Sequence, residues 1–191
     1  ILPTAEKARK LRECLNRIFD LKKEVKRRIT FDRNGFFDNT SIVFDIPLLR
    51  LIAAYAIDRF AGKRITKVLT AAVDGIPLAV MIAHELDVDL AIAKREKEVG
   101  VPRFYEVTYS PGGSGHLMSL YLPRGAIKSR DSVLIVDDVI KTGETQRALI
   151  ELARRAGADI AGVFAIVSIG NAWKRNINLP PGIPVEVLLS L

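Results

Sequence analysis

Apolar residues recur along the chain with two periods that take turns, one near 3.6 residues and one near two or unbroken. Leu48 to Phe60 repeats them at helical spacing and stops at Gly62, so a helix is predicted there. ITKVLTAAVDGIPLAVMIAHELDV, residues 65–88, reads as strand, turn, helix and the lead into another strand, which Leu90-Ala91-Ile92-Ala93 supplies. Between Arg103 and Arg124 the arms FYEVTYS and HLMSLYL alternate like a β-hairpin around the tip Pro111-Gly112-Gly113-Ser114-Gly115. Val133 to Val136 is an aliphatic run too short for a buried helix, which predicts a strand covered on both faces. A helical pattern follows in Ala148, Leu149, Leu152, Ala153 and Ala156, closed by Gly157. Ile160 to Ile169 is a further buried strand. Pro180-Pro181-Gly182-Ile183-Pro184 is a rigid linker into a final strand, VEVLLSL. Alternating strands and helices predict an α/β layer fold with a mainly parallel central sheet flanked by helices.

The first 47 residues are organised differently. Residues 1–28 form a basic amphipathic helix candidate with the stripe Leu11, Leu15, Ile18, Leu21 and Val25. Nine cations cover the rest: Lys7, Arg9, Lys10, Arg12, Lys22, Lys23, Lys26, Arg27 and Arg28. It reads either as a packing helix with a solvated face or as a nucleic-acid contact. From Thr30 to Pro47, aromatics mix with turn residues such as Asn34-Gly35, so a hairpin or irregular segment is expected, with Phe31, Phe36, Phe37 and Phe44 suited to a core.

At 191 residues the chain suits one domain of usual size. The net charge of +7 fits a polyanionic small molecule and equally a nucleic acid, and does not choose between them. The single Cys14 excludes an internal disulfide framework or a cysteine-rich zinc site and fits a reducing cytoplasm. No apolar run is long enough to span a bilayer, so a cytoplasmic protein without membrane contact is expected.

The chemistry concentrates in SVLIVDDVIKTGETQRAL, Ser132 to Leu149. Here two carboxylates, Asp137 and Asp138, end a strand, and a turn carrying Gly143 opens a helix. Gly143 lets the backbone approach a ligand or take a positive φ, and Thr142 to Thr145 offer N–H groups and two hydroxyls at the positive end of the helix dipole. A phosphate fits that turn. Carboxylates do not bind phosphate, so Asp137 and Asp138 are expected to accept from a neutral polyol or sit by a developing cation. Together these describe a ribose 5-phosphate. A Walker loop is excluded because its Gly-Lys-[Ser/Thr] ending is absent, and no Gly-x-Gly-x-x-Gly follows the strand.

VLIVDDVIKTGET resembles the phosphoribosyl-pyrophosphate (PRPP) motif of the type I phosphoribosyltransferases at nearly every position. The resemblance implies a three-layer fold with a small hood: residues 1–47 as basic helix and hood, 48–170 as the core, and 171–191 as C-terminal hood or tail. It implies transfer of the 5-phosphoribosyl group to a purine base with release of pyrophosphate, Mg²⁺ as the cation, and a homodimer. On the matching residues, Asp137 and Asp138 would be catalytic, and Lys141, Thr142, Gly143, Glu144 and Thr145 would hold the 5-phosphate. Ala72, Val73, Asp74 and Gly75 fall where the family keeps a pyrophosphate loop with a non-proline cis peptide, and Lys94 and Arg95 would assist. This loop lacks the acid and base that many members carry, and is closest to the xanthine-type loop. Ser110, Gly112, Gly113, Ser114 and Gly115 match a flexible catalytic loop; His116 is not assigned as a general base. Ile169 and Trp173 would lie at the base, Trp173 either stacking or as part of the hood.

The Lys that reads 6-oxopurines in this family is absent at Ile169 and Gly170, which points to adenine or a backbone-read base. Two positions depart from the motif. Lys141 replaces a frequent Ala or Asp, and Glu144 replaces a frequent Gly. A Lys at the first position also occurs in the Gram-positive purine-operon repressor, and ILPTAEKARKL is similar to the exit from a helix-turn-helix repressor domain. A PRPP-binding transcription regulator that contacts DNA is therefore the alternative expectation.

Overall fold

The computed structural model describes residues 20–33, 36–111 and 115–191. The chain divides into two compact units, Ile1–Ile42 and Val43–Leu191.

In the first unit, helix α1 (Leu21–Arg28) starts under Asp20, whose carboxylate accepts from the Lys23 N–H at 3.1 Å. The helix expected over residues 1–28 is seen only in this last part; Ile1 to Phe19, with Leu11, Leu15 and Ile18 of its stripe, lies outside the described residues. Val25 is fully buried. Glu24 accepts from both Arg27 and Arg28 at 2.7–3.1 Å, and those guanidiniums push its carboxyl down to about 2. Two of the cations on this helix are thereby committed to an internal partner. Strands β1 (Thr30–Phe31) and β2 (Phe37–Asp38) pair antiparallel, as the turn residues predict, with Asn34-Gly35 outside the described residues. Phe31 and Phe36 are 55% and 68% exposed, so neither fills a core. Helix α2 (Thr40–Val43) begins in this unit and ends on the first residue of the next.

Early in the second unit come Phe44, also exposed, and helix α3 (Ile46–Arg59), two residues longer at its N-terminus than its apolar repeat because Asp45 caps it and Pro47 fits the first turn. Then come β3 (Lys67–Ala71), α4 (Ile76–Leu86), β4 (Asp89–Ala93), β5 (Phe104–Tyr109), β6 (Met118–Pro123), β7 (Ser132–Ile140), α5 (Glu144–Arg155), β8 (Asp159–Ser168), α6 (Trp173–Asn176) and β9 (Val185–Ser190). Five strands form one parallel sheet in the order β4-β3-β7-β8-β9. The two crossovers β3-α4-β4 and β7-α5-β8 run in opposite directions along the sheet. Right-handed connections then put α4 and α5 on opposite faces. The wholly buried strand β3 and the nearly continuous burial of β7 and β8 follow from that double cover. The tail reaches this sheet: β9, within the segment expected as hood or tail, is its edge strand beside β8.

β5 and β6 form the expected antiparallel hairpin, joined to the end of β4 through the bridge between Lys94 and Tyr121. Its tip residues Gly112, Gly113 and Ser114 lie outside the described residues. Among the described residues, no helix is long and apolar enough to cross a membrane.

Candidate active site

The strand order reverses between β3 and β7. In an open parallel sheet the connections leaving such a pair diverge, and a crevice opens beyond the carboxyl ends of the two strands. The turns that border it are 72–75 after β3 and 141–143 after β7, the two turns singled out above.

β7 runs to Ile140, so Asp137 and Asp138 lie inside the strand rather than at its end. The reason is β8, which pairs alongside through Asp137↔Ala165, Val139↔Val167 and Ile140↔Ser168. Adjacent residues of a strand point to opposite faces, so the two carboxylates are differently employed. Asp137, 6% exposed, is occupied within the protein: Oδ1 accepts the Asp138 N–H at 3.0 Å and Oδ2 accepts Gln146 Nε2 at 2.6 Å. A Cβ built on Gly75 would sit 3.0 Å from Asp137 Oδ1 and 2.4 Å from Thr70 Oγ1. Asp137 therefore braces the floor between the two turns. Burial pushes its carboxyl well above the usual range, and the charge of Asp138 adds to that. Asp138 is raised too, by burial and by the charge of Asp74, against the hydrogen bond from Asp137. Two buried acids share a site that favours a proton, a cation or a hydroxyl donor.

The turn after β7 is built for an anion. Gly143, at φ +82°, starts α5 with no side-chain cap, so the first-turn N–H groups have no carbonyl one turn earlier to meet. Behind Gly143 a Cβ would meet Ile177 Cγ1 at 3.0 Å and Trp173 Cβ and Cα at 3.1 and 3.2 Å. Only glycine fits both the φ and that wall. Lys141 is exposed. The Thr142 hydroxyl donates to Glu144 Oε2 at 3.1 Å, so the Glu144 carboxylate folds back over the turn rather than away from it. Thr145 lies 3.4 Å from the Tyr109 hydroxyl, which links the hairpin to the same turn.

The turn after β3 carries a cis peptide between Ala72 and Val73. Val73 is 72% exposed, Asp74 is exposed, and α4 starts under Gly75, again without a side-chain cap. Of the two cations expected to help here, Lys94 is ion-paired with Glu98 and Arg95 is exposed, without a hydrogen bond or ion pair among the described residues. Lys97 pairs with Glu106 at 3.2 Å and lies over the Tyr121 ring, so it holds the hairpin.

Ser110 follows β5 with a buried hydroxyl oxygen that has no partner among the described residues; Gly115 and His116 are exposed. At the end of β8 the Ile169 N–H donates to Ile140 O at 2.8 Å and the Gly170 N–H to Leu191 O at 3.0 Å, so neither amide is left to read a base. Trp173, expected either to stack on a base or to belong to the hood, is packed inward. It is 8% exposed and belongs to the apolar cluster with Ile140, Leu149 and Ile177, because its backbone packs against Gly143. Gln146 and Asn176 complete the site and were not foreseen; Asn176 Nδ2 donates to the Thr142 carbonyl at 2.8 Å. Neither falls in a spacing pattern, so only their buried or half-buried contacts reveal them. A depression of about 540 Å³ bordered by Thr66, His84, Asp87 and Asp89 lies at the opposite, N-terminal end of the strands. It is remote from all of this chemistry.

A family model described as "Phosphoribosyl transferase domain" matches residues 40–180. A purine biosynthesis transcriptional repressor of Bacillus subtilis is 29% identical over 144 residues, 75% of this chain and 50% of that protein. A hypoxanthine/guanine phosphoribosyltransferase of Methanothermococcus okinawensis is 34% identical over 147 residues, 75% of either chain. The solved structure of an adenine phosphoribosyltransferase from Rhodothermus marinus superposes with a TM-score of 0.78 at 28% identity, covering 90% of this chain and 99% of that one. The chain thus spans about half the length of the repressor it matches and three quarters of the archaeal enzyme.

Proposed function

The chain belongs to the phosphoribosyl transferase domain family, and from that premise we propose that it transfers the 5-phosphoribosyl group of PRPP to a purine base with release of pyrophosphate. One observation carries this reading: two uncapped helix N-termini and a pair of buried carboxylates meet at the single reversal of strand order. A molecule with an anion at each end and a polyol between them has that outline.

In the reaction a C–N bond forms from the base nitrogen to C1 of the ribose as the C–O bond to pyrophosphate breaks, with inversion. The amides of Gly143 to Thr145 hold the 5-phosphate, and the turn 72–75 receives the diphosphate through its backbone. Asp138 accepts from the ribose hydroxyls and stabilises the positive charge that develops on the sugar, while Asp137 and Gln146 fix where Asp138 stands. Tyr109, whose hydroxyl lies 3.4 Å from Thr145 Oγ1, keeps the β5–β6 hairpin beside the phosphate turn. Mg²⁺ suits this donor set. Asp74 and Asp138 repel one another and offer hard oxygen donors, and the described residues hold no cluster of three or more ligating side chains. The cation would therefore share those carboxylates with substrate oxygens and water. When bound, it supplies charge neutralisation of the diphosphate.

The relatives divide over the base. The absent Lys at Ile169 makes adenine the first to try. The experiment measures pyrophosphate release from PRPP and Mg²⁺ with adenine, hypoxanthine, guanine and xanthine. Release with at least one is expected; bound PRPP and no release with any would overturn the enzyme reading.

The match to a repressor, together with Lys141, favours a second reading, PRPP-dependent regulation of transcription within a longer protein. It predicts duplex DNA binding that falls steeply with salt and changes with PRPP. Gel shifts at low salt that show no retardation would remove that role for residues 1–191.

A further inference from the structure

Helix α6 follows the end of β8 and touches the phosphate turn from behind. Trp173 and Ile177 close on Gly143, and Asn176 donates to the carbonyl of Thr142 at 2.8 Å. That carbonyl and the N–H of Gly143 belong to one peptide plane, and in a trans peptide they point in opposite directions. Holding the carbonyl toward α6 aims the Gly143 N–H away from it, toward the crevice. No described residue accepts that N–H.

We propose that Asn176 is a positioning residue that orients the Thr142–Gly143 peptide so that its amide meets the 5-phosphate. The inference rests on the function proposed above. The wall of Trp173 and Ile177 sets how deep the turn can sink, and Asn176 sets which way its peptide faces. Thr142 O accepts and cannot donate, so the partner must be a donor. Asp at 176 has the shape of Asn and the wrong polarity, and His offers a ring N–H in its place.

Calorimetric titration with ribose 5-phosphate and, separately, with pyrophosphate tests this on the native chain and on Asn176→Ala, Asn176→Asp and Asn176→His. Loss of one such hydrogen bond is expected to weaken ribose 5-phosphate by about tenfold in Asn176→Ala. Asn176→Asp should weaken it further, and Asn176→His should recover part of the loss. Pyrophosphate, held by the turn after β3, should bind all four proteins alike. In turnover the KM for PRPP should rise with little change in kcat. Should Asn176→Ala fail to fold, the isosteric Asp variant and the His variant give the same comparison. Unchanged affinity for ribose 5-phosphate in Asn176→Asp, or equal losses of both ligands, would overturn the inference and leave the proposed function standing. A native chain that binds ribose 5-phosphate not at all would instead overturn the function itself.

Discussion

Helices α1 and α3 each begin under an aspartate; α4 and α5 each begin under a glycine. Asp20 accepts the Lys23 N–H at 3.1 Å and Asp45 accepts the Leu48 N–H at 2.9 Å, so these helices satisfy a free amide of their own first turn. Gly75 and Gly143 accept nothing through a side chain, and both border the crevice at the strand reversal. A good cap contributes about 1 kcal/mol. Leaving it out at these two helices, while keeping it at two others, gives up stability in exchange for amides that an anion can use. The same trade shows below them, where Asp137 and Asp138 are buried close together at a cost to the ligand-free fold.

The contrast breaks most sharply at Gly143. Gly143→Ala forces a side chain into φ +82° and into Trp173 and Ile177. It should lower stability by about 2–4 kcal/mol and weaken PRPP at least ~100-fold. Chemical denaturation and calorimetry report the two effects, and retained PRPP affinity would show that the turn is not the phosphate cradle.

Asp138→Asn comes next, with turnover expected to fall about 10²- to 10³-fold. Its effect on the fold has the opposite sign. The Asp138 carboxyl is raised by burial above its unfolded value near 3.9, so the folded state binds the proton more tightly than the unfolded one. The stability this gives is fully present below that value and is lost as pH rises through the folded pKa. Asp138→Asn removes the loss, so the ligand-free variant should melt about 2–4 °C above the native chain at pH 8 and near it at pH 4. Melting curves at the two pH values check this, and a variant less stable at pH 8 would contradict the assignment.

Gly75→Ala is smaller because the native φ of −72° suits any residue, and the contacts that resist are side-chain oxygens, Thr70 Oγ1 at 2.4 Å and Asp137 Oδ1 at 3.0 Å. A loss of about 1–3 kcal/mol is expected, recovered in part when Thr70→Ala is added. Absence of that rescue in the double variant would place the strain elsewhere. Smallest is the control, Asp45→Ala. It should cost about 1 kcal/mol in denaturation and leave PRPP affinity alone. A matching loss of affinity would erase the distinction between the two kinds of helix start.

The strand, turn and helix from Ser132 to Arg155 were legible because each step is a local property: aliphatic run, paired acids, glycine, amphipathic repeat. The hairpin from Phe104 to Pro123 was legible for the same reason, and the resemblance placed a cis peptide within Ala72 to Gly75, where the Ala72–Val73 bond has it. What escaped depends on partners distant along the chain. Gln146 matters because Asp137 lies nine residues before it, and Asn176 because Thr142 lies 34 before it. Trp173 looked equally suited to stacking on a base or to the hood, and its packing against Gly143 appears only in the folded chain. The length of β7 was underestimated because an acid usually ends a buried strand, whereas here β8 continues alongside and Gln146 satisfies Asp137.

By itself the order of residues determined the alternation of strands and helices, the single glycine that opens α5, and the pair of acids just before that turn. These are written in short windows, where period, φ and charge act between neighbours. The tertiary structure alone decided that the turns after β3 and β7 border one crevice, that Asp137 is tied to the Asp138 amide and to Gln146, and that a four-residue helix from the tail holds the carbonyl of Thr142. The physical reason is that each of these depends on which distant surfaces are brought together when the sheet is covered on both faces. A buried carboxylate or carbonyl must then find its hydrogen-bond partner wherever packing delivers one.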